Sequence, residues 1–399
     1  MKESDTIRVS ARRIEELLRG VHALEPVSGL THSYYKYPAR FSPHFANAAI
    51  KLFTKPGDVV LDPFSGGATT LVEAQALGRI GIGLDVNELS CFISAAKTTV
   101  LSDHDIAALT SWTHAMVSNL NLRVKARRPK TWIENGYQRN INGVRTWRIR
   151  KALELALGRI DLLDHARQKR FARALLLRTG QWALDCRTNV PTLEEFRNQL
   201  LINLEAMLKG AKEYSALIRN RDPIDRPGGP IILHRSAEAL ETDPRIRRHG
   251  PPRLVLTSPP YPGVHVLYHR WQIFGRKETP APYWIANVLD GNGLSYYTFG
   301  DRKAPELRKY FETAQSAFGS IAKVADDQTL IVQMVAFSDA SWQLPEYLER
   351  MQSAGLREVF LPNHERRRLW RKIPHRKWYT EKLENDGTSR EVVLFHRRD

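Results

Sequence analysis

The sequence predicts an α/β fold carrying a large helical insertion, and three observations support that prediction. Short apolar runs end in proline or glycine turns in both halves of the chain, and one of them passes through a glycine loop into a helical stretch. Between about Leu101 and Tyr214, strand signals give way to long helical patterns such as Ile149 to Arg167 and Leu193 to Ile218. A block of that length exceeds what an α/β domain needs between consecutive strands, so it reads as an inserted helical subdomain. The chain divides accordingly into residues 1–100, an insertion over 101–225 and residues 226–399.

In chain order, residues 10–20 alternate charged and apolar positions at helical spacing, and His44 to Phe53 form a helix leading into the first strand. That strand, Asp58-Val-Val-Leu-Asp62, runs into Pro63-Phe64-Ser65-Gly66-Gly67-Ala68, after which Thr69 or Thr70 is placed to cap a helix reaching about Leu77. Strand, glycine turn and helix N-terminus make the first half of a nucleotide-binding βα unit, because the missing side chains let a ligand approach the backbone. Ala68 is harmless in such a turn at negative φ and obstructive at positive φ. Arg79-Ile-Gly-Ile-Gly-Leu-Asp85 is a second strand. Its acid follows Asp62 by roughly the 20 residues at which a carboxylate meets the ribose of an adenosine. Asn87 is placed to cap a helix through Lys97, with Glu88 at its positive end.

Beyond the insertion, Arg221 to Pro230 is a turn-rich linker and Ile231 to Glu238 a strand and loop. Leu254 to Leu256 then read as a buried strand that must stop at Pro259 and Pro260, since neither has an N–H to donate. A rigid Ser258-Pro259-Pro260 followed by Tyr261 can aim a hydroxyl and carbonyls at a flat amine while the ring stacks on it. The same residues more often make an ordinary strand exit, so their chemistry depends on the glycine loop as partner. Pro262 to His265 and Tyr268 to Phe274 are expected to wall the base pocket. Thr329 to Val335 read as another central strand.

Composition bounds the partners. The chain has 399 residues, 42% of them hydrophobic, and a net charge of +17, with a pI near 9.9. That excess suits a polyanion, most commonly nucleic acid. Arg123, Lys125, Arg127, Arg128, Lys130, Arg139, Arg145, Arg148 and Arg150 interleave with Trp132, Tyr137 and Trp147, and Glu134 is the only acid among them. Such a run fits phosphates and a duplex; arginines on the solvated face of a helical hairpin are the plainer reading. A second cluster, Arg366, Arg367, Arg368, Arg371, Lys372, Arg376 and Lys377, surrounds Trp370 and Trp378. No run of about 18 apolar residues and no apolar signal core appear, so a soluble, cytoplasmic and nucleoid-associated protein is expected. Cys91 and Cys186 are too few for a disulfide framework, and no metal is expected.

Three segments together resemble the exocyclic-amino DNA methyltransferases, which use S-adenosylmethionine to methylate cytosine N4 or adenine N6. They are Asp62-Pro-Phe-Ser-Gly-Gly-Ala-Thr-Thr70, Thr257-Ser-Pro-Pro-Tyr261 and His32-Ser-Tyr-Tyr-Lys-Tyr37-Pro38-Ala39-Arg40-Phe41-Ser-Pro43. The resemblance implies a Rossmann-like class I methyltransferase sheet closed by a terminal antiparallel hairpin, here Arg357 to Leu361 with Glu391 to Phe395. It implies cofactor contacts from Tyr37, Pro38, Ala39, Arg40, Phe41, Asp62, Pro63, Phe64, Ser65, Gly66, Gly67, Thr69, Thr70, Asp85, Asn87 and Ser236, with Glu238 an alternative to Ser236. Ala68 stands where the family usually has a third glycine. The catalytic set is Ser258, Pro259, Pro260 and Tyr261, and the expected DNA contacts are Arg127, Arg128, Lys130, Arg145, Arg148, Arg367, Arg371 and Lys372. Double-stranded DNA is the expected partner, with a restriction endonuclease of the same site a possible second.

An exocyclic amine is a weak nucleophile because its lone pair is delocalised into the ring. Ser258 and the Pro259 carbonyl would accept its hydrogens and favour a pyramidal nitrogen, while Tyr261 stacks on the base. Within the family, serine at the first catalytic position resembles the cytosine-N4 enzymes, while aspartate or asparagine is usual for adenine N6. Adenine N6, an RNA base methyltransferase and a degenerate DNA-binding module remain as alternatives. Methylation at cytosine C5 needs a cysteine nucleophile, and neither cysteine follows a proline or ends an expected strand.

Overall fold

The computed structural model describes residues 7, 9, 11–23, 28–37, 42–125, 130–221, 228–263, 270–291, 297–300, 306–362, 368–372 and 390–399. Helices α1 (Ala11–His22) and α2 (Pro43–Phe53) precede β1 (Val59–Asp62), α3 (Thr69–Ala76), β2 (Ile80–Asp85) and α4 (Glu88–Lys97). Five helices follow: α5 (Asp103–Ser118), α6 (Lys130–Glu134), α7 (Trp147–Leu157), α8 (Ala166–Leu184) and α9 (Leu193–Arg219). The chain then returns with β3 (Ile231–His234), α10 (Pro244–Arg247), β4 (Leu254–Thr257), β5 (Trp271–Ile273), β6 (Lys277–Thr279), α11 (Ala281–Ala286) and α12 (Arg308–Val324). It ends with β7 (Leu330–Ala336), α13 (Ala340–Ser353), β8 (Leu356–Val359), β9 (Leu369–Lys372) and β10 (Arg390–Arg398).

The main sheet runs β3-β2-β1-β4-β7-β10-β8, with β9 also paired to β10. Strands β3, β2, β1, β4 and β7 are mutually parallel, and β10 is antiparallel to β7, β8 and β9. Every residue of β1, β4 and β7 is buried, which is why these strands read as unbroken apolar runs. On one face Leu61, Val255 and Ile331 pack against Phe311, Phe318 and Tyr347 of α12 and α13. On the other, Val60, Leu254 and Val332 pack against Leu17 of α1 and Phe45 and Ile50 of α2. The result is a Rossmann-like three-layer sandwich with an antiparallel closing edge. Its strand order reverses between β1 and β4, and ligands of open α/β sheets bind at the carboxyl ends of strands at such a switch point.

The helices between β2 and β3 share a core with the elements around them. That core includes Leu109, Leu153, Phe171 and Phe196 together with Leu89 and Ile93 of α4 and with Tyr34, Tyr35 and Tyr37. Helix α9 also reaches α3, where Tyr214 packs on Val72 and Ala76 and its hydroxyl donates to Gln75 Oε1. Asn87 caps α4 by accepting from Leu89 N at 2.9 Å, as its sequence position predicts. No described helix is long and apolar enough to cross a membrane.

Four local expectations are corrected. The helix expected over Ile149 to Arg167 is broken, because α7 stops at the Gly158 cap and α8 starts after a capping box at His165. Neither Thr69 nor Thr70 caps α3; Ala68 occupies that position in a left-handed conformation, and the Thr70 hydroxyl donates to Leu256 O at 3.1 Å. Trp271 is core, not pocket wall: it lies in the β5–β6 hairpin, its indole N–H donating to the Tyr35 hydroxyl at 3.1 Å. The arginine-rich segment before the C-terminus contains β9, which the charge pattern concealed.

Candidate active site

A cavity of about 380 Å³ opens at the carboxyl ends of β1, β2, β3 and β4. The glycine loop forms its floor. Ser65 holds that loop to β2, its N–H and its hydroxyl both donating to Leu84 O at 2.9 Å. Gly83 makes the close approach possible, since a Cβ there would meet Ser65 Oγ and Leu71 Cδ1 at 2.6 Å. Beneath the loop, Lys97 is fully buried and donates to Gly67 O at 2.7 Å, while the Ser90 hydroxyl donates to Gly66 O at 2.8 Å. Ala68 closes the turn at φ +64°, a left-handed conformation that costs a residue with a Cβ roughly 1–2 kcal/mol. The surrounding clamp therefore stabilises an arrangement the alanine alone would avoid.

Two carboxylates face this loop. Asp85 accepts from Gly66 N and Asn87 N, each at 2.9 Å, and burial raises its carboxyl pKa. Asp62 accepts from the Thr257 hydroxyl at 2.7 Å, joining the ends of β1 and β4. Burial pushes the Asp62 carboxyl up to about 6, against hydrogen bonds from Thr257, Thr70 and Phe64. Tyr37 lines the cavity, and its ring edge lies where a Cβ on Gly66 would meet it at 3.2 Å. The segment carrying Tyr37 is anchored by His32, which pairs with Glu73 of α3 at 2.7 Å.

Opposite the glycine loop, Ser258, Pro259 and Pro260 line the cavity. The Ser258 hydroxyl donates to Met334 O at 3.0 Å and lies 2.9 Å from the Tyr261 hydroxyl. Tyr261 donates to Glu391 Oε1 at 2.7 Å, and Arg371 Nε donates to Glu391 Oε2 at 2.6 Å. The Pro260 carbonyl accepts from the Tyr310 hydroxyl at 2.7 Å. Tyr261 is only 6% exposed and packs in the sheet core, so its ring braces the loop and is not a cavity face. The aromatic walls are instead Phe64, Tyr297 and Phe299, with Phe299 edge-on to Phe64 at 5.4 Å.

Asp62, Pro63, Phe64, Ser65, Gly66, Gly67, Thr69, Asp85, Ser236 and Glu238 all line this cavity with Tyr37. Asn87 and Thr70 stand behind it, as helix cap and as a link to β4. Pro38, Ala39, Arg40 and Phe41 lie outside the described residues, as do Arg127, Arg128, His265, Tyr268 and Arg367. Sequence reasoning missed Arg235, Tyr297, Phe299, Lys309 and Thr313 in the wall. They come from separate stretches with no local motif.

The basic residues divide. Lys130 and Arg148 are exposed; Arg145 is exposed too, but stacks over Phe274 at 4.3 Å and donates to Thr188 O at 2.6 Å. Arg150 is buried against Glu154, and Trp132 packs edge-on to Tyr137 at 4.7 Å. Arg371 is corrected outright: only 6% exposed and ion-paired with Glu391, it cannot reach a DNA phosphate, because β9 pairs with β10 and directs it inward. Lys372 ends β9. Among the described residues, His104, Asp105 and His165 bring ligand-type atoms within 4.8 Å of one another. Burial there disfavours ionisation, yet hydrogen bonds from Arg167, Ser102 and Gln168 already hold Asp105 well below the usual carboxylate range.

The chain is similar in part to known DNA methyltransferases. Residues 4–96 match the family model described as DNA methylase. The Type II methyltransferase M.MvaI of Kocuria varians is 41% identical over 85 residues, 21% of this chain and 19% of that protein. The Type II methyltransferase M.MjaII of Methanocaldococcus jannaschii is 33% identical over 78 residues, 20% of this chain and 14% of that protein. The DNA adenine methyltransferase YhdJ of Escherichia coli is 30% identical over 94 residues, 24% of this chain and 32% of that protein. The matches thus span less than a third of each relative. Among solved structures, the rRNA methyltransferase aviRa of Streptomyces viridochromogenes aligns over 91% of this chain and 89% of that one, at a TM-score of 0.29 and 13% identity. A likeness that distant carries no argument.

Fold and cavity define a Rossmann-like α/β domain with a ligand cavity at its topological switch point. Over residues 4–96 the chain is similar to the exocyclic-amino, cytosine-N4 or adenine-N6, DNA methyltransferases, whose methyl donor is S-adenosylmethionine. The residues fit that cofactor: the buried Asp62, the half-buried Asp85 and an open glycine backbone suit a cationic nucleoside.

Proposed function

We propose that this chain is a site-specific DNA methyltransferase acting on the exocyclic N4 of cytosine, with the base flipped out of double-stranded DNA. The observation that carries this reading is the state of Ser258. Its one hydrogen has Met334 O at 3.0 Å and the Tyr261 oxygen at 2.9 Å to go to, so its oxygen has lone pairs to offer the cavity it lines. An acceptor there withdraws a hydrogen of the amine and strengthens its hold as positive charge develops on nitrogen, which is stabilisation specific to the transition state. When bound, S-adenosylmethionine supplies the electrophilic methyl group. Asp85 would hold the ribose hydroxyls, Asp62 the cationic amino-acid end, Tyr37 the methionine portion, and Ser236 or Glu238 the adenine edge. Lys130, Arg145 and Arg148 would meet DNA phosphates, and a restriction endonuclease reading the same site would be a natural companion.

One observation favours adenine N6 as the second reading: a relative matching 24% of this chain is named a DNA adenine methyltransferase. Expression in a host without DNA methylation, followed by nucleoside mass spectrometry and single-molecule sequencing, separates the two. N4-methylcytosine in one short motif is the expected result. N6-methyladenine would replace it with the second reading, and unmodified DNA from a folded, donor-binding protein would sink both.

The Asp62 carboxyl also predicts a pH dependence. A cationic ligand prefers the ionised acid, whose pKa in the free protein is about 6. Donor affinity should therefore be flat above that pH and weaken by up to about tenfold per unit below it. Calorimetric titration between pH 5 and 8 checks this, and Asp62→Asn should flatten the profile. An unchanged slope in that variant would assign the titration elsewhere.

A further inference from the structure

We propose that Glu391, fixed by Arg371, is a positioning residue that sets the direction of the hydrogen bond between Tyr261 and Ser258 and so keeps Ser258 an acceptor. This rests on the amine-methylation reading above. Among these groups the direction follows from counting hydrogens. Arg371 only donates, and an ionised carboxylate only accepts. With Arg371 on Oε2 at 2.6 Å, Glu391 presents Oε1 to Tyr261, whose single hydroxyl hydrogen goes there at 2.7 Å. Tyr261 then has only lone pairs to show Ser258, 2.9 Å away. The Ser258 hydrogen is left to Met334 O or to the Tyr261 oxygen, and through these contacts Ser258 receives no hydrogen from the protein.

The opposite direction would matter. If Tyr261 donated to Ser258, it would take one of the two lone pairs of that oxygen and leave the other a weaker acceptor for the substrate amine. Both members of the controlling pair are nearly buried and come from the closing strands β9 and β10, with Glu391 standing 130 positions from Tyr261. The edge of the sheet thereby reaches the reacting end of the cavity.

Glu391→Gln tests the direction with little change of shape. The charged Arg371 still demands an acceptor, so the amide oxygen turns to it and the amide nitrogen faces Tyr261. Tyr261 must then accept, and its hydrogen turns to Ser258. The expected result is a kcat lower by about tenfold or more, the size of one hydrogen bond in the transition state, with KM for donor and duplex within about twofold. Adding Tyr261→Phe removes the misdirected donor and should recover most of that loss, so the double variant outperforms Glu391→Gln alone. Arg371→Gln with Glu391→Gln makes a neutral amide pair in which the oxygen can again face Tyr261. It should run faster than Glu391→Gln, and faster still than Ser258→Ala if the single variant does not fold. A native kcat in Glu391→Gln, or a double variant no better than it, overturns the relay while DNA methylation by the unaltered protein stands. No methylation by the unaltered protein overturns the underlying reading and the relay with it.

Discussion

Ser258→Ala should lower kcat by roughly 10²–10³, the usual loss when one preorganised hydrogen-bonding group is removed from a transition state. Donor affinity should stay within about twofold, because none of the groups assigned to the donor (Tyr37, Asp62, Asp85 and Ser236 or Glu238) takes a hydrogen bond from Ser258. The substitution removes the hydroxyl that both donates to Met334 O and meets Tyr261 at 2.9 Å. Tyr261 keeps its hydrogen bond to Glu391, and Pro260 keeps that from Tyr310, so the loop should retain its shape. Steady-state rates on a methylatable duplex, beside calorimetry of donor binding, separate chemistry from binding. A loss below tenfold would shift the acceptor role to the proline carbonyls; a parallel loss of donor affinity would mean the loop had collapsed.

What could be read from the sequence follows from what each signal measures. Strands β1, β4 and β7 are buried on both faces, so their apolar runs carried the information directly. The Asn87 cap and the glycine loop were legible because both are local backbone chemistry. Tyr261 and Arg371 were not. Residue type says that a tyrosine can stack and an arginine can bind phosphate, but the direction of each side chain is set by strand pairing with distant parts of the chain. The partner of both, Glu391, lies on the last strand. Trp271 misled for the same reason: its ring packs on Gly180 of α8, a contact no periodicity reveals. The wall residues Tyr297, Phe299 and Lys309 meet only through tertiary structure.

Gly210→Ala should destabilise the protein, against the ordinary rule that alanine improves a helix by about 1 kcal/mol over glycine. Gly210 lies within α9 where that helix crosses the N-terminal segment, and a Cβ there would stand 1.9 Å from Leu30 O and 2.9 Å from Leu30 C. Backbone, not a flexible side-chain tip, would have to move. Leu30 is already left-handed at φ +42°, and the Tyr34 hydroxyl ties the same segment to Met207 O of α9 at 3.3 Å. Overpacking of this kind costs about 1–3 kcal/mol, and a chain of this size loses roughly 1 °C of Tm per kcal/mol. A functional effect should accompany it, since the displaced segment carries Tyr37 to the cavity beside Gly66; donor affinity should weaken several-fold. Gly319→Ala in α12 is the matching control, because a Cβ there meets nothing within 4 Å and the ordinary propensity gain should appear. Thermal melts and donor titrations of the two variants decide the matter. Equal melting temperatures would mean that the α9 crossing yields without cost. A lower Tm for Gly210→Ala with unchanged donor affinity would separate the crossing from the position of Tyr37.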